Sequence, residues 1–209
     1  MTIDLQNRQN LSSPSRQSLK FFKSDRLLTR NNSMAILNSI APELQVSQWF
    51  NTQHPITLAE LRGRVVVLHA FQMLCPGCVA HGLPQAMVIY NAFPAADVAV
   101  VGIHSVFEHH SAMTPVSLEA FIYEYRITFP VAVDRPSTTS NIPQTMEAFG
   151  MRGTPTLILL DRQGRIRLNH FSRMDDLRVG AIIGQLINES VSDLYSTVDP
   201  SVKTEISLA

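Results

Sequence analysis

The only two cysteines of the chain, Cys75 and Cys78, lie three positions apart. They follow an apolar run at 65–71 and precede a stretch at 76–93 that is typical of a helix. A C-x-x-C between a strand and a helix places the first sulfur at a helix N-terminus, where unpaired N–H groups and the helix dipole favour a thiolate. Because the thiolate is the reactive form, the spacing predicts a dithiol/disulfide redox pair. In that pair Cys75 is the expected nucleophile, and Cys78 is expected to resolve the mixed disulfide.

The composition is that of an ordinary globular protein. The chain has 209 residues, of which 45% are hydrophobic and 16% charged, and its formal net charge is zero. This length is sufficient for one domain with a sizeable core, and the charge balance favours neither nucleic acid nor an anionic membrane as a partner. No apolar run approaches the roughly 18–20 residues that a membrane-spanning helix needs. Two cysteines cannot build a disulfide framework, and beside a βα pattern their spacing again favours redox chemistry.

The sequence divides into a globular part and two tails. Residues 1–40 are predicted to be a disordered basic tail, because their first part is polar and basic and has no long apolar run. A transit-type segment and a misassigned start, with Met34 as the first residue, are the alternatives. The domain is expected over 41–190, followed by a mobile tail over 191–209. Since no signal peptide or membrane anchor is recognisable, we expect a cytoplasmic location.

Strands and helices alternate along the globular part. Short β-branched runs predict buried strands, and apolar residues at helical spacing predict amphipathic helices. The predicted order begins with a turn capped by Thr57 and Glu60, a strand at 64–71, a helix at 76–93 and a strand at 97–103. A helix from Thr114 or Ser117 to about 126, a short strand at 129–133 and a short helix at 143–149 closed by Gly150 follow. The last elements are a strand, tight turn and strand within 152–166, with Gly164 in the turn, and a helix at 173–189 capped by Ser172 and Asp175. This alternation predicts an α/β protein.

This order, with C-x-x-C at the first βα junction and the sequence G-T-P-T at 153–156 before the hairpin, resembles the thioredoxin superfamily. Within it, the chain is similar to the thiol-disulfide oxidoreductases related to TlpA and ResA, which border on the peroxiredoxins. The resemblance covers 41–190 and implies a thioredoxin-like three-layer fold, with a central mixed sheet and helices on both faces.

The resemblance also implies roles for individual residues. Pro155 would be the cis-proline that lies opposite the cysteines, and the Thr154 backbone would pair with an extended thiol substrate. Pro76 and Gly77, between the cysteines, would face the same substrate. The implied partner is a protein or small-molecule thiol or disulfide. No cofactor is expected beyond the Cys75–Cys78 disulfide itself.

Three features near the cysteines depart from the family pattern. Leu74 stands where a tryptophan usually precedes the first cysteine, and the dipeptide between the cysteines is Pro-Gly. Pro84 follows the second cysteine by six residues, where the family usually has five. A proline inside a helix is expected to kink it.

Two histidines are candidates for the same site. His69 lies six positions before Cys75, inside the strand, where thioredoxin has a buried acid. With an ordinary pKa of about 6.5, it is suited to accept or return the proton of Cys78. The alternative is a core histidine bonded to a backbone carbonyl. His81, one helical turn after Cys78, either contacts the site or is simply solvated.

A peroxidase is one alternative function. Peroxiredoxins carry Pro-x-x-x-Thr-x-x-Cys around the peroxidatic cysteine. Counted back from Cys75, the two positions hold Leu68 and Gln72, and counted back from Cys78 they hold Phe71 and Cys75. The missing threonine argues against efficient peroxide reduction.

A thioredoxin-fold module that binds a partner or a metal through its cysteines is the other alternative. A structural zinc ion needs four ligands in a tetrahedral array. The cysteines could be joined by two side chains from the group His104, Glu108, His109 and His110. The spacing matches no known metal motif, so we predict no metal site.

Overall fold

The computed structural model describes residues 36–189, which belong to the compact unit Ile36–Ala209. The predictions for most of the basic tail, including Met34, and for the mobile tail fall outside the described residues. In chain order the elements are β1 (Val46–Phe50), β2 (Val65–Phe71), a π-helical segment (Cys78–Gly82), α1 (Leu83–Ala92), β3 (Val98–His104), α2 (Pro115–Glu124), β4 (Val131–Asp134), α3 (Gln144–Ala148), β5 (Thr156–Leu160), β6 (Ile166–Phe171) and α4 (Asp176–Asn188).

The strands form one mixed sheet in the order β1-β4-β3-β2-β5-β6. Strands β2, β3 and β4 are parallel, whereas β1, β5 and β6 each pair antiparallel with their neighbours. All seven residues of β2 are buried. Its unbroken apolar sequence is therefore explained by a central position with both faces covered, as predicted.

Helices cover both faces of this sheet. Val65, Val67 and Phe71 of β2 pack in one apolar cluster with residues of α1, α2 and α4. The alternate residues Val66 and Leu68 pack in a second cluster, which includes Met146 of α3. Because successive strand side chains point to opposite faces, one strand supplies both cores. The expected three-layer α/β architecture is confirmed.

Several local signals act as predicted. The Thr57 N–H donates to Glu60 Oε2 at 3.0 Å, and the Glu60 N–H donates to Thr57 Oγ1 at 3.3 Å, which is the reciprocal capping pattern. Thr114 caps α2 by accepting the Ser117 N–H. Gly164 has φ +74°, the left-handed conformation expected in the hairpin turn.

Two features differ from the sequence prediction. Strand β1 was not predicted, and it pairs at the sheet edge with β4. The cap of α4 is Asp175 alone, whose carboxylate accepts the N–H groups of Leu177 and Arg178. Ser172 is not a cap, because it lies before the helix and its N–H donates to the Pro155 carbonyl at 2.8 Å.

The helix predicted at 76–93 contains a π-helical segment. At its end the Leu83 N–H donates to the Cys78 carbonyl, five residues back rather than four. A π segment holds one residue more than the α-helix it interrupts. The additional residue between Cys78 and Pro84 is thus absorbed here, and Pro84 lies in the first turn of α1. None of the helices in residues 36–189 is long and apolar enough to cross a membrane.

Candidate active site

Cys75 caps the helix that follows it. Its sulfur accepts the Cys78 N–H at 3.3 Å, and its carbonyl accepts the Val79 N–H at 3.1 Å. These are the two bonds that an N-cap residue makes, with sulfur in place of the usual oxygen. The side chain is half-buried. The predicted position of Cys75 at a helix N-terminus is confirmed.

The segment before β5 lies against the cysteines. The Thr154–Pro155 peptide bond is cis, as the resemblance implied. The Cys75 thiol donates to the Thr154 carbonyl at 3.4 Å. A β-carbon added at Gly77 would lie 3.4 Å from Pro155 Cδ, so Gly77 packs directly on the proline ring. Pro76 is exposed beside it. The structure therefore brings together five of the residues predicted for the site.

Cys78 is buried, and both cysteines are free thiols. Burial, followed by the hydrogen bond with the Cys75 side chain, raises the pKa of Cys78 to about 12. At neutral pH this thiol is therefore protonated, and it must lose a proton before it can act as a nucleophile. The two cysteines thus differ in exposure, with Cys75 half-buried and Cys78 fully buried.

His69 lies in the middle of the sheet, between Gly102 of β3 and Leu157 of β5. Its side chain is 2% exposed, and its Nδ1 has no hydrogen-bond partner among residues 36–189. Burial lowers the pKa of His69 to about 4, so the imidazole is neutral at physiological pH. His69 and Cys78 are not hydrogen-bonded to each other in the described structure. Its predicted role in proton transfer stays a prediction.

A cavity of about 220 Å³ adjoins His69 and Pro155. Its polar and charged lining residues are His69, His81, Gln85, Ser172, Arg173 and Asp176. Gln85 is fixed in place, since its Nε2 donates to the Met174 carbonyl at 2.9 Å and to Asp176 Oδ1 at 2.5 Å. The sequence left open whether His81 contacts the site or is solvated, and Gln85 and Asp176 were not predicted. The only sequence feature that could have indicated these two residues was their polarity within amphipathic helices.

Gly82 is a third residue that sequence reasoning missed. It is buried at the end of the π segment, and a β-carbon there would lie 2.7 Å from His69 Nε2 and 3.1 Å from Pro155 Cβ. Its signal was a glycine inside a helical pattern, which often marks close packing.

The residues considered for zinc do not converge. His104 is buried against the Phe71 ring at a centroid distance of 5.3 Å, whereas Glu108, His109 and His110 are exposed. Within residues 36–189, no three His, Cys, Asp or Glu side chains are grouped closely enough to hold a metal ion.

The mixed sheet, the cysteine at a helix N-terminus and the cis-proline opposite it define a protein with a thioredoxin-like fold and a C-x-x-C site. The AhpC/TSA family matches residues 37–169, and the chain belongs to this family. Within it, the chain is of the TlpA/ResA-like kind, as its relatives show.

Two relatives from bacteria illustrate the similarity. ResA of Halalkalibacterium halodurans, a thiol-disulfide oxidoreductase, is 25% identical over 76% of this chain and 78% of its own length. DipZ of Mycobacterium bovis is 28% identical over 72% of this chain, which spans only 21% of DipZ.

Two solved structures are more similar in sequence. A thiol-disulfide isomerase from Corynebacterium glutamicum has 48% identity and a TM-score of 0.70, covering 73% of this chain and 98% of its own. A thioredoxin-like superfamily protein has 56% identity and a TM-score of 0.71, covering 72% of this chain and 97% of its own.

Proposed function

We propose that Cys75 and Cys78 form the redox couple and that the protein exchanges disulfides with protein or small-molecule thiols. One observation carries the proposal: Cys75 Sγ lies 3.3 Å from the Cys78 N–H and 3.4 Å from the Thr154 carbonyl, and it remains partly exposed. A sulfur held in this way can meet a substrate disulfide beside the Thr154 backbone. The names of the relatives, thiol-disulfide oxidoreductase and thiol-disulfide isomerase, support the same reaction.

The exchange has two steps. The Cys75 thiolate attacks one sulfur of a substrate disulfide, forms a mixed disulfide and releases the other substrate sulfur as a thiolate, which takes up a proton. Cys78 then loses its proton and attacks Cys75 Sγ, which forms the Cys75–Cys78 disulfide and releases the second substrate thiolate. The substrate gains two electrons and two protons, and the cysteine pair loses them. The reverse sequence oxidises a substrate dithiol.

The second step depends on the proton of Cys78. Formation of the mixed disulfide removes the Cys75 thiol, and with it one of the causes that raise the pKa of Cys78. The proposed proton acceptor is His69, whose neutral imidazole is available at physiological pH. The two side chains are not bonded to each other, and the adjoining cavity is lined by His69 but not by Cys78. The proposed transfer therefore needs an intervening water molecule.

Reduction of insulin disulfides by dithiothreitol tests the proposal. We expect the wild-type protein to accelerate the reaction and Cys75→Ser to abolish this acceleration. Cys78→Ser keeps the nucleophile, so it is expected to accumulate a mixed disulfide that mass spectrometry detects. A wild-type protein without activity toward any disulfide, or a fully active Cys75→Ser variant, contradicts the proposal and favours a non-catalytic binding module.

Two further measurements define the activity. Potentials of such pairs span roughly −270 to −120 mV, so equilibration of the Cys75–Cys78 pair with glutathione buffers separates a reductase from an oxidase. Hydrogen peroxide consumption separates both from a thiol peroxidase, for which Cys75 must react faster than free cysteine. The cytoplasmic location and the absence of a further cofactor stay predictions from the sequence.

A further inference from the structure

We propose that Gly82 is a positioning residue for His69, holding the imidazole beneath the helix that carries Cys78. This proposal rests on the proposed redox function, in which His69 accepts the Cys78 proton. A β-carbon at position 82 would lie 2.7 Å from His69 Nε2 and closer still to Cε1. Carbon and nitrogen atoms that are not bonded to each other do not approach so closely. The imidazole can therefore occupy its place only because residue 82 has no side chain.

The π segment delivers Gly82 to this position. The segment begins with Cys78 and ends with Gly82, and its closing bond runs from the Leu83 N–H to the Cys78 carbonyl. The residue that resolves the mixed disulfide and the residue that contacts His69 are thus the two ends of one hydrogen-bonded turn. Gly82 also faces Pro155, since an added β-carbon would lie 3.1 Å from Pro155 Cβ. It is therefore enclosed on two sides.

The space next to the ring determines where a displaced imidazole can go. Strand neighbours Gly102 and Leu157 hold the backbone of His69 in the sheet. The cavity of about 220 Å³ is lined by both His69 and Gly82. A methyl group at position 82 would therefore drive the imidazole toward this cavity, away from its buried site. In the cavity the ring would be better hydrated, and the main cause that lowers its pKa would weaken.

The charged and titratable groups near His69 come from the cavity lining and from the π segment. His81, Arg173 and Asp176 line the same cavity, and Cys78 lies on the π segment. The paired positions on β3 and β5 carry no titratable group. Of the cavity groups, the Arg173 guanidinium disfavours an imidazolium, whereas the Asp176 carboxylate favours it. With charges of both signs present, hydration decides the direction, so displacement should raise the pKa of His69.

The test compares Gly82→Ala with Gly180→Ala. At Gly180, in α4, an added β-carbon meets no atom within 4 Å, so it controls for the substitution itself. The His69 imidazole is titrated by NMR in each protein. We expect a midpoint near pH 4 in the wild type and in Gly180→Ala, and a midpoint higher by about one unit or more in Gly82→Ala. An unchanged midpoint in folded Gly82→Ala overturns the proposal, whatever the activity of the protein.

The pH profile of insulin reduction gives a second readout. In Gly82→Ala we expect its acidic limb to move with the His69 midpoint. We expect the rate at neutral pH to fall by about tenfold or more, because loss of the ring's position outweighs its higher basicity. If Gly82→Ala does not fold, His69→Ala is compared with the double variant His69→Ala/Gly82→Ala, in which the overlap with the imidazole is removed and only the 3.1 Å contact with Pro155 Cβ remains. Equal rates for these two variants support an action of Gly82 through His69. A further tenfold loss in the double variant refutes it.

Discussion

His104 provides a quantitative test of how this core responds to acid. It ends β3 and is 1% exposed, and its ring packs on Phe71 at a centroid distance of 5.3 Å and an interplanar angle of 47°. Neither ring nitrogen has a hydrogen-bond partner among residues 36–189. Burial lowers the pKa of His104 from 6.5 to about 4. The folded protein therefore holds this imidazole in its neutral form.

The sign of the pH effect follows from proton binding. Between about pH 6.5 and pH 4 the unfolded chain binds a proton at His104 that the folded protein does not. The free energy of unfolding is therefore unaffected by this group above about pH 6.5, and it decreases as the pH falls from 6.5 to 4. The complete shift corresponds to about 3 kcal/mol, of which about 2 kcal/mol is already lost at pH 5.

Replacement of His104 by leucine isolates this effect. His104→Leu keeps an apolar contact with Phe71 and removes the titrating group. At pH 7 we expect the variant to be as stable as the wild type or more stable by about 1 kcal/mol, since no unpartnered ring nitrogen remains buried. At pH 5 its advantage should grow by about 2 kcal/mol. The measurement is urea-induced unfolding at both pH values, read as the change in midpoint at constant slope.

The comparison cancels the other titrating groups. His69, with its pKa lowered to about 4, makes both proteins less stable as the pH falls. Asp134, whose pKa is raised by burial, has the opposite effect in both proteins. His110→Leu is the matched control, because His110 is exposed. If His104→Leu and the wild type lose stability in parallel from pH 7 to pH 5, His104 is not a buried neutral histidine and the reasoning fails.

Two further predictions concern stability at neutral pH. Asp175→Ala removes the cap of α4 and should lower the free energy of unfolding by about 1 kcal/mol, whereas Asp175→Asn should retain most of it; equal losses in a urea titration would contradict the capping role. Asp134→Ala leaves the Ser105 hydroxyl and the N–H groups of Thr145 and Met146 without their acceptor and should cost about 3 kcal/mol; a loss below about 1 kcal/mol in the same titration would show that these groups find other partners.

The fold was predictable where one segment carries its own signal. Strand β2 was recognisable because it is buried on both faces and its sequence is continuously apolar. Strand β1 was not, because its residues are exposed or half-buried and Ser47 and Gln48 interrupt any apolar pattern. An edge strand of this kind owes its conformation to pairing with β4, which no local sequence pattern encodes.

Local sequence likewise specifies the contacts around Cys75. The cysteine lies beside its own helix, and the cis-proline follows a recognisable motif, so both were predicted from sequence and the resemblance. The position of His69 in its strand was equally predictable. Its contact with Gly82 was not, because these residues are 13 positions apart in the chain and meet through a helix whose hydrogen bonding changes midway.

The additional residue before Pro84, Gly82 and His69 belong to one structural arrangement. Each residue of an α-helix turns the chain by about 100° around the axis. Without the π segment, every side chain after Cys78 would be rotated by roughly that angle relative to the sheet, and Gly82 would no longer face His69 and Pro155. Another residue would then face the strand. If that residue had a β-carbon in the space that Gly82 leaves empty, the β-carbon would overlap the imidazole. The helical insertion therefore explains how a buried histidine is accommodated below this cysteine pair.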